Sequence, residues 1–317
     1  MALKEPRNSH AVVVGGGTMG VDVAVVLARG GCRVSVVEPS ASRREALHGH
    51  VAENLEALDL GRRAQRVASV AQLQDVDWGD VALVIECVPE QLAIKQEVFA
   101  RLVELAPAEA LLTSNSSSFP ISAIAQGLPT AGRMLGLHFF MPAHLVPLVE
   151  VVLGPQTEPA LAQELCAFMR GCGNVPVLVR KDKPGFLANR LQHALAREAF
   201  ALIGGGVGTP EGVGAAVRFG FGFRFLAAGP VMQRDHAGLD VHCAAAATMY
   251  PSLAANTEPA KVLRERVAAG HLGMKTGQGF HAWTPETQRA ERVRYDTLLR
   301  QGLALLAPEL PAIDTKD

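Results

Sequence analysis

The chain lacks any charge of one sign to spare. Its 317 residues carry 30 Lys and Arg against 31 Asp and Glu, a net charge of −1. That balance leaves no electrostatic footprint for nucleic acid or for an anionic membrane. Long apolar runs are missing as well: none approaches the roughly eighteen residues that a spanning helix needs. The opening segment MALKEPRNSH is polar and leads into a strand-like run, so it is not read as a secretory signal. Cysteine is scarce. Cys32, Cys87, Cys166, Cys172 and Cys243 form no CxxC pair and show no disulfide-like spacing. They are expected to be reduced thiols in a cytoplasmic protein, and Cys87, inside an apolar run, to pack and not to react. Repeats and low-complexity tracts are absent. No metal site is expected.

What is present is a large apolar fraction, 49%, beside 19% charged residues. That is the balance of a globular chain with a substantial core, long enough for two domains of ordinary size. From residue 11 to about 180, short β-branched runs alternate with helical patterns. The runs are AVVV (11–14), RVSVVE (33–38), VALVIECV (81–88), ALLTS (110–114), MLGLHFF (134–140), PLVEVV (147–152) and VPVLV (175–179). Such runs predict a mostly parallel sheet covered by helices on both faces. Beyond Gly185 the apolar residues recur at helical spacing. The stretch RKDKPGF (180–186) reads as a hinge, because Pro184 and Gly185 interrupt both periodicities. The expected organisation is an α/β, Rossmann-like doubly wound domain over residues 1–183. An all-α domain follows over 184–317, and its last helix starts at Pro285.

The segment AVVVGGGTMGVDVAVVLARGG holds Gly15-x-Gly17-x-x-Gly20 between a strand and a helix. The first glycine permits the tight turn, the second lets the backbone approach a pyrophosphate, and the third lets helix and strand pack closely. The helix start, with Thr18 and Met19, offers free N–H groups and a positive dipole end to phosphates. Glu38 ends the next strand, where a carboxylate accepts the ribose hydroxyls and repels a 2′-phosphate. NAD is therefore expected in preference to NADP. Arg43 and Arg44, just past that strand, could hold a 2′-phosphate or form a solvated helix face.

Oxidation of an alcohol by hydride transfer needs a general base and a partner that orients it. His138, at the end of one strand run, can be the base, and Glu150, on the next, can hold its other nitrogen. A lone histidine in an apolar run is equally what a packed core histidine looks like, so residue types alone leave this open.

The ordered motifs GGGTMG, IECVPEQLAIK (85–95), SNSSSFPI, LHFFMP, LVEVV, KDKPGFLANRL (181–191), GPVMQRDHAGLD (229–240) and LGMKTGQGF carry a resemblance. The chain resembles the L-3-hydroxyacyl-CoA dehydrogenases from Val12 to Phe280. The resemblance implies a dimer formed through the helical domain and an active site in the cleft between domains. It implies His138 as base, paired with Glu150, and Ser117 and Asn189 bonded to the reacting oxygen. Glu90, Lys95 and Asn115 would lie near the nicotinamide, with Lys275 reaching it from the second domain. Each also has a plainer reading: Ser117 as a helix cap, Asn189 as a polar residue on a packed helix, Glu90 as a first-turn acid.

The sequence departs from that pattern in three places. The family usually has HFFNP, and here Met141 replaces the asparagine, exchanging a polar side chain for a weak acceptor that donates nothing. The region that in the acyl-CoA enzymes bears a helical hairpin with a lysine for CoA is here the shortened RREALHGHVAENLEALDLGRRAQRVASV (43–70). It has no lysine, though Arg43, Arg44, Arg62, Arg63 and Arg66 could serve a phosphate or a helix surface. ECVPE, VPLVEV and NRLQHAL look more like the L-gulonate 3-dehydrogenase and lambda-crystallin branch, whereas AGLD and GMKTGQGF look more like the acyl-CoA branch. The expectation is an NAD-dependent dehydrogenase acting on CH–OH. A short-chain L-3-hydroxyacyl-CoA comes first as substrate, and a free 3-hydroxy acid or a pyridine-ring alcohol stands as the alternative. A non-catalytic NAD-binding or structural protein is the remaining class.

Overall fold

The computed structural model describes residue 3 and residues 5–315, so Met1, Ala2 and Lys4 of the polar opening segment lie outside the described residues. The strands are β1 (His10–Val14), β2 (Arg33–Val37), β3 (Val67–Val70), β4 (Val81–Glu86), β5 (Leu111–Ser114), β6 (Met134–Phe139), β7 (Leu148–Leu153) and β8 (Val175–Val179). They form one sheet in the order β3-β2-β1-β4-β5-β6-β7-β8. All neighbours run parallel except β6 and β7. The seven runs read from the sequence are all strands. The eighth, β3, is a four-residue edge strand whose VASV run is too short and too polar to stand out.

The sheet is apolar on both faces. Ala11, Val13, Leu83 and Ile85 pack into one core, while Val12, Val14 and Val84 pack into another. Two-sided burial explains the unbroken apolar runs. The covering helices are α1 (Thr18–Arg29), α2 (Ala41–Glu56), α3 (Leu92–Leu105), the single turn α4 (Ile121–Ile124) and α5 (Pro159–Gly171). The chain winds outward from β1 to β3 and then returns to β4 on β1's other side. A ligand crevice opens at such a switch point, outside the carboxyl ends of the strands. One exception to the parallel pattern matters for the site. Antiparallel pairing of β6 with β7 sets His138 directly opposite Glu150.

Backbone contacts divide the chain into two units. The first runs to Asn189 and takes up the chain again from Ala307; the second is Arg190–Leu306. The residues just past the 180–186 hinge stay with the sheet because Leu187 and Ala188 donate backbone hydrogen bonds to Glu150. The tail stays with it because Arg63 donates to the Asp314 carbonyl. The second unit is helical: most of α6 (Ala188–Gly204), then α7 (Pro210–Ala216), α8 (Gly222–Arg224), α9 (Pro230–Ala237), α10 (Leu239–Met249), α11 (Lys261–Ala268) and α12 (Pro285–Leu306). None of these helices buries a side chain fully among the described residues. No described helix is long and apolar enough to cross a membrane.

Candidate active site

The glycines after β1 each have their own steric reason. Gly15 has φ +107°, and a Cβ there would also meet the Cys87 carbonyl oxygen at 2.8 Å. At Gly20 a Cβ would stand 1.8 Å from the Gly15 oxygen, so helix and strand could not approach as they do. Gly17 differs from both: a Cβ there would meet nothing within 4 Å. That open space lies over the N-terminus of the twelve-residue α1, whose first turn receives no side-chain cap. Uncapped N–H groups beneath open space fit the phosphates of a dinucleotide. Thr18 is exposed there and Met19 half-buried.

Gly16 was not singled out by the motif, yet it too must be glycine. A Cβ would come within 2.7 Å of the Glu38 Cβ. The Gly16 N–H donates to Glu38 Oε2 at 3.0 Å and the Ser40 N–H donates to Oε1 at 2.9 Å. Two backbone donors thus fix the carboxylate, and each oxygen keeps a lone pair for a ribose hydroxyl. Arg44 donates to the Glu38 and Pro39 carbonyls, so its guanidinium is already engaged. Arg43 lies 3.8 Å from Glu38 Oε2. The acid therefore keeps command of the strand end, which fits NAD.

A second acid, missed in the sequence, ends β4. Glu86 is wholly buried and accepts from Lys95 Nζ (2.8 and 3.1 Å), from the Ser114 hydroxyl (2.6 Å) and from the Val88 N–H (2.7 Å). Lys95, on α3, is itself 1% exposed, and its ammonium also lies 3.2 Å from Glu90 Oε2. The structure encloses it between two carboxylates, so it acts on anything bound nearby through Glu90. Lys95→Met leaves the Glu86 charge buried with only the Ser114 hydroxyl and the Val88 N–H and no cation against it. It is expected to lower stability by about 3–5 kcal/mol, read by denaturant unfolding. A loss below about 1 kcal/mol would contradict the pairing.

Glu90 precedes α3, whose cap is Gln91, so it is no first-turn acid. Its Oε1 accepts from the Ser116 hydroxyl (2.7 Å), the Ser117 and Ser118 N–H groups (3.1 and 2.9 Å) and the Ser118 hydroxyl (2.7 Å). Partial burial works to raise its carboxyl. The Ser118 and Ser116 bonds, with Lys95 beside them, outweigh that and hold it at about 2. One carboxylate thereby shapes the loop that carries Ser117. Asn115 fixes the same loop to β6: its Oδ1 accepts the Phe139 N–H at 2.8 Å.

His138 and Glu150 are nearly inaccessible, and Nδ1 lies 2.8 Å from Glu150 Oε2. The other oxygen, Oε1, accepts the Leu187 and Ala188 N–H groups at 3.0 and 2.9 Å, at the positive end of α6. Burial pushes the Glu150 carboxyl up. The His138 bond and these backbone donors overcome it and keep the carboxyl below its usual range. A charged carboxylate accepts the hydrogen bond of the Nδ1–H, which leaves the lone pair on Nε2. The Ser117 hydroxyl lies 3.1 Å from that nitrogen. The Phe140 ring meets the imidazole edge-on at 4.5 Å, and the Phe186 ring lies tilted at 5.5 Å. Phe186 is held in place by a turn through Gly185 (φ +76°) and its own φ of +47°. Neither phenylalanine was anticipated, since nothing local marks a ring that orients a distant histidine.

Asn189 falls in the first turn of α6, one residue past Ala188, and is half-buried. Met141 follows β6 and is 66% exposed. Lys275 lies exposed on the 3₁₀ turn Met274–Thr276 of the second unit, where the resemblance alone assigns it to the cofactor.

A doubly wound sheet with a phosphate cradle and a ribose acid, followed by a helical unit, defines the class: an NAD-dependent dehydrogenase acting on a CH–OH group. Residues 10–183 match the NAD-binding domain of 3-hydroxyacyl-CoA dehydrogenase, and residues 185–283 match its C-terminal domain. The chain belongs to the 3-hydroxyacyl-CoA dehydrogenase family. It is 35% identical, over 93% of this chain and 98% of the other, to 5-formyl-3-hydroxy-2-methylpyridine 4-carboxylate 5-dehydrogenase of Mesorhizobium japonicum. It is 34% identical to a 3-hydroxybutyryl-CoA dehydrogenase of Mycobacterium tuberculosis, over 86% of this chain and 97% of the other. Among solved structures it is similar to one of a 5-formyl-3-hydroxy-2-methylpyridine 4-carboxylic acid 5-dehydrogenase, described as an NAD+-dependent dismutase. There the TM-score is 0.88 at 30% identity, covering 95% of this chain and 98% of that one.

Proposed function

We propose that the chain oxidises the hydroxyl of a small free carboxylated compound, a hydroxy acid or a ring alcohol, with NAD. The observation that carries this reading is the state of the arginines between 43 and 66. Arg44 donates to the Glu38 and Pro39 carbonyls, Arg63 to those of Arg29 and Asp314, and Arg66 to that of Gly31. Three of the segment's five arginines are thus engaged on backbone and Arg43 lies 3.8 Å from Glu38 Oε2, which draws four of them away from the phosphates of CoA, while Arg62 is exposed. The segment itself is one helix, α2, followed by a 3₁₀ stretch (Gly61–Arg66), with no second helix to make a hairpin. The similarity to the pyridine carboxylate dehydrogenase supports the free, carboxylated class of substrate, although the group at position 5 of the compound it is named for is a formyl group. A short-chain L-3-hydroxyacyl-CoA is the second reading, supported by the 3-hydroxybutyryl-CoA relative.

The chemistry follows from the dyad. His138 Nε2 takes the proton of the substrate hydroxyl while the Ser117 hydroxyl holds the same oxygen. Glu150 orients the ring and stabilises the imidazolium that forms. Asn189 is assigned to the reacting oxygen, and Glu90, Lys95 and Asn115 set the loop on the nicotinamide side. The bound dinucleotide supplies the hydride acceptor. One hydride and one proton leave the substrate; the proton passes through His138 to solvent.

The test is NADH formation with a panel of free hydroxy acids and pyridine-ring alcohols against L-3-hydroxybutyryl-CoA. Free compounds are expected to be turned over with the higher kcat/KM. Preference for the CoA ester would overturn the substrate assignment and leave the dehydrogenase chemistry standing. The functional form is proposed to be a homodimer through the helical unit, where Phe219, Phe223, Val231 and Leu239 stand more than half exposed. Sedimentation is expected to give two chains per particle; a monomer at assay concentration would refute this.

A further inference from the structure

Three side chains that are distant in sequence meet behind the nucleotide motif. Asp22 comes from α1, His50 from α2 and His144 from the connection between β6 and β7. Asp22 Oδ1 lies 2.9 Å from His50 Nε2 and 2.9 Å from His144 Nδ1. The three atoms all fall within 4.8 Å of one another. The other Asp22 oxygen accepts the Ala143 N–H at 3.0 Å, which turns Oδ1 toward the histidines. The group is closed on the protein side and open on one edge: Asp22 is 4% exposed, His144 11% and His50 38%.

The internal bonding of this group is incomplete. One carboxylate oxygen faces two imidazoles. His144 Nδ1 is buried and forms no hydrogen bond of acceptable geometry among the described residues, although it sits 2.9 Å from Oδ1. His50 Nε2 bonds that oxygen, while His144 Nδ1 lies equally near without bonding it, and an ion held between them would supply the missing partner. Two ligands on one tetrahedral zinc stand roughly 3.3 Å apart, so an opening of a few tenths of an ångström would admit the ion.

We propose that Asp22, His50 and His144 bind a divalent transition-metal ion of the zinc class. Two imidazoles and one carboxylate suit zinc, nickel or copper and suit magnesium and calcium poorly. Three protein ligands leave the fourth position to water, on the open edge beside His50. The ion joins α1, α2 and the β6–β7 connection. That connection begins just after His138 and Phe139 and carries Met141, so the ion clamps the chain that leaves the catalytic histidine. The site does not depend on the substrate proposed above.

The experiment is calorimetric titration of chelator-treated, full-length protein with Zn2+, paired with thermal denaturation. One equivalent is expected to bind. The melting temperature is expected to rise by roughly 5 °C or more at a hundredfold excess over Kd. His50→Gln, at the most exposed ligand, and His144→Gln are each expected to weaken that binding by at least about tenfold. His50→Gln is expected to leave NAD affinity in the absence of metal unchanged. No saturable equivalent of Zn2+, or equal binding by the parent and His50→Gln, would overturn the site and move any bound ion to other histidines.

Discussion

His138→Gln is expected to lower turnover by about 10²–10⁴-fold, the usual worth of a positioned general base, with NAD affinity within about threefold of the parent. Glutamine fills the space beside Phe140 and Phe186 but cannot take a proton. Glu150→Gln is expected to lower kcat on the order of 10³-fold by a different route. Its amide oxygen can still accept the Leu187 and Ala188 N–H groups. Its NH₂ then faces His138 Nδ1, and the proton moves to Nε2, where the lone pair is needed. Both variants separate catalysis from folding because neither touches the glycine cradle. Loss of NAD binding together with turnover would assign the pair to structure instead.

Gly17→Ala and Gly20→Ala are expected to fail in different ways. At Gly17 the backbone (φ −72°, ψ −173°) suits any residue, and a methyl group meets no protein atom within 4 Å. The fold should be unaffected, while the methyl stands where the backbone must approach a pyrophosphate. NAD binding is expected to weaken by roughly tenfold or more, an overpacking cost of about 1–3 kcal/mol. At Gly20 the methyl falls 1.8 Å from a backbone oxygen, so α1 must lift from β1. That variant should lose about 3 kcal/mol of stability as well as NAD. Melting curves with and without NAD read both effects. Undiminished NAD affinity in Gly17→Ala would contradict the placement of the phosphates over α1.

The features legible in the sequence are those whose cause is local. A turn that demands φ +107° at Gly15 and a methyl-free contact at Gly20 leave a fixed spacing in the chain, and a strand buried on both faces leaves an unbroken apolar run. His138 and Glu150 could be suggested as a pair, but their register depends on β6 and β7 running antiparallel, which nothing in the two runs encodes. Glu86 and Lys95 were separable only once both were seen buried together, because a lysine nine residues after an acid reads equally well as surface. Phe186 and the Asp22, His50 and His144 group are products of tertiary folding, joining positions up to 122 apart in the chain. The 43–70 segment shows the reverse difficulty. Its arginines suggested a phosphate groove, and backbone carbonyls just after β2, at and just after the end of α1, and in the C-terminal tail took three of them instead.

The most direct measurement is the pH profile of single-turnover NADH formation from about pH 6 to pH 9, in the parent and in His138→Gln. A general base accepts the substrate proton only while it is itself unprotonated, so the parent rate should rise with pH. Glu150, held below its usual range, stays ionised throughout this window and adds no slope of its own. The residual rate of His138→Gln should lack the rise. A flat parent profile, or the same rise in both proteins, would contradict His138 as the base.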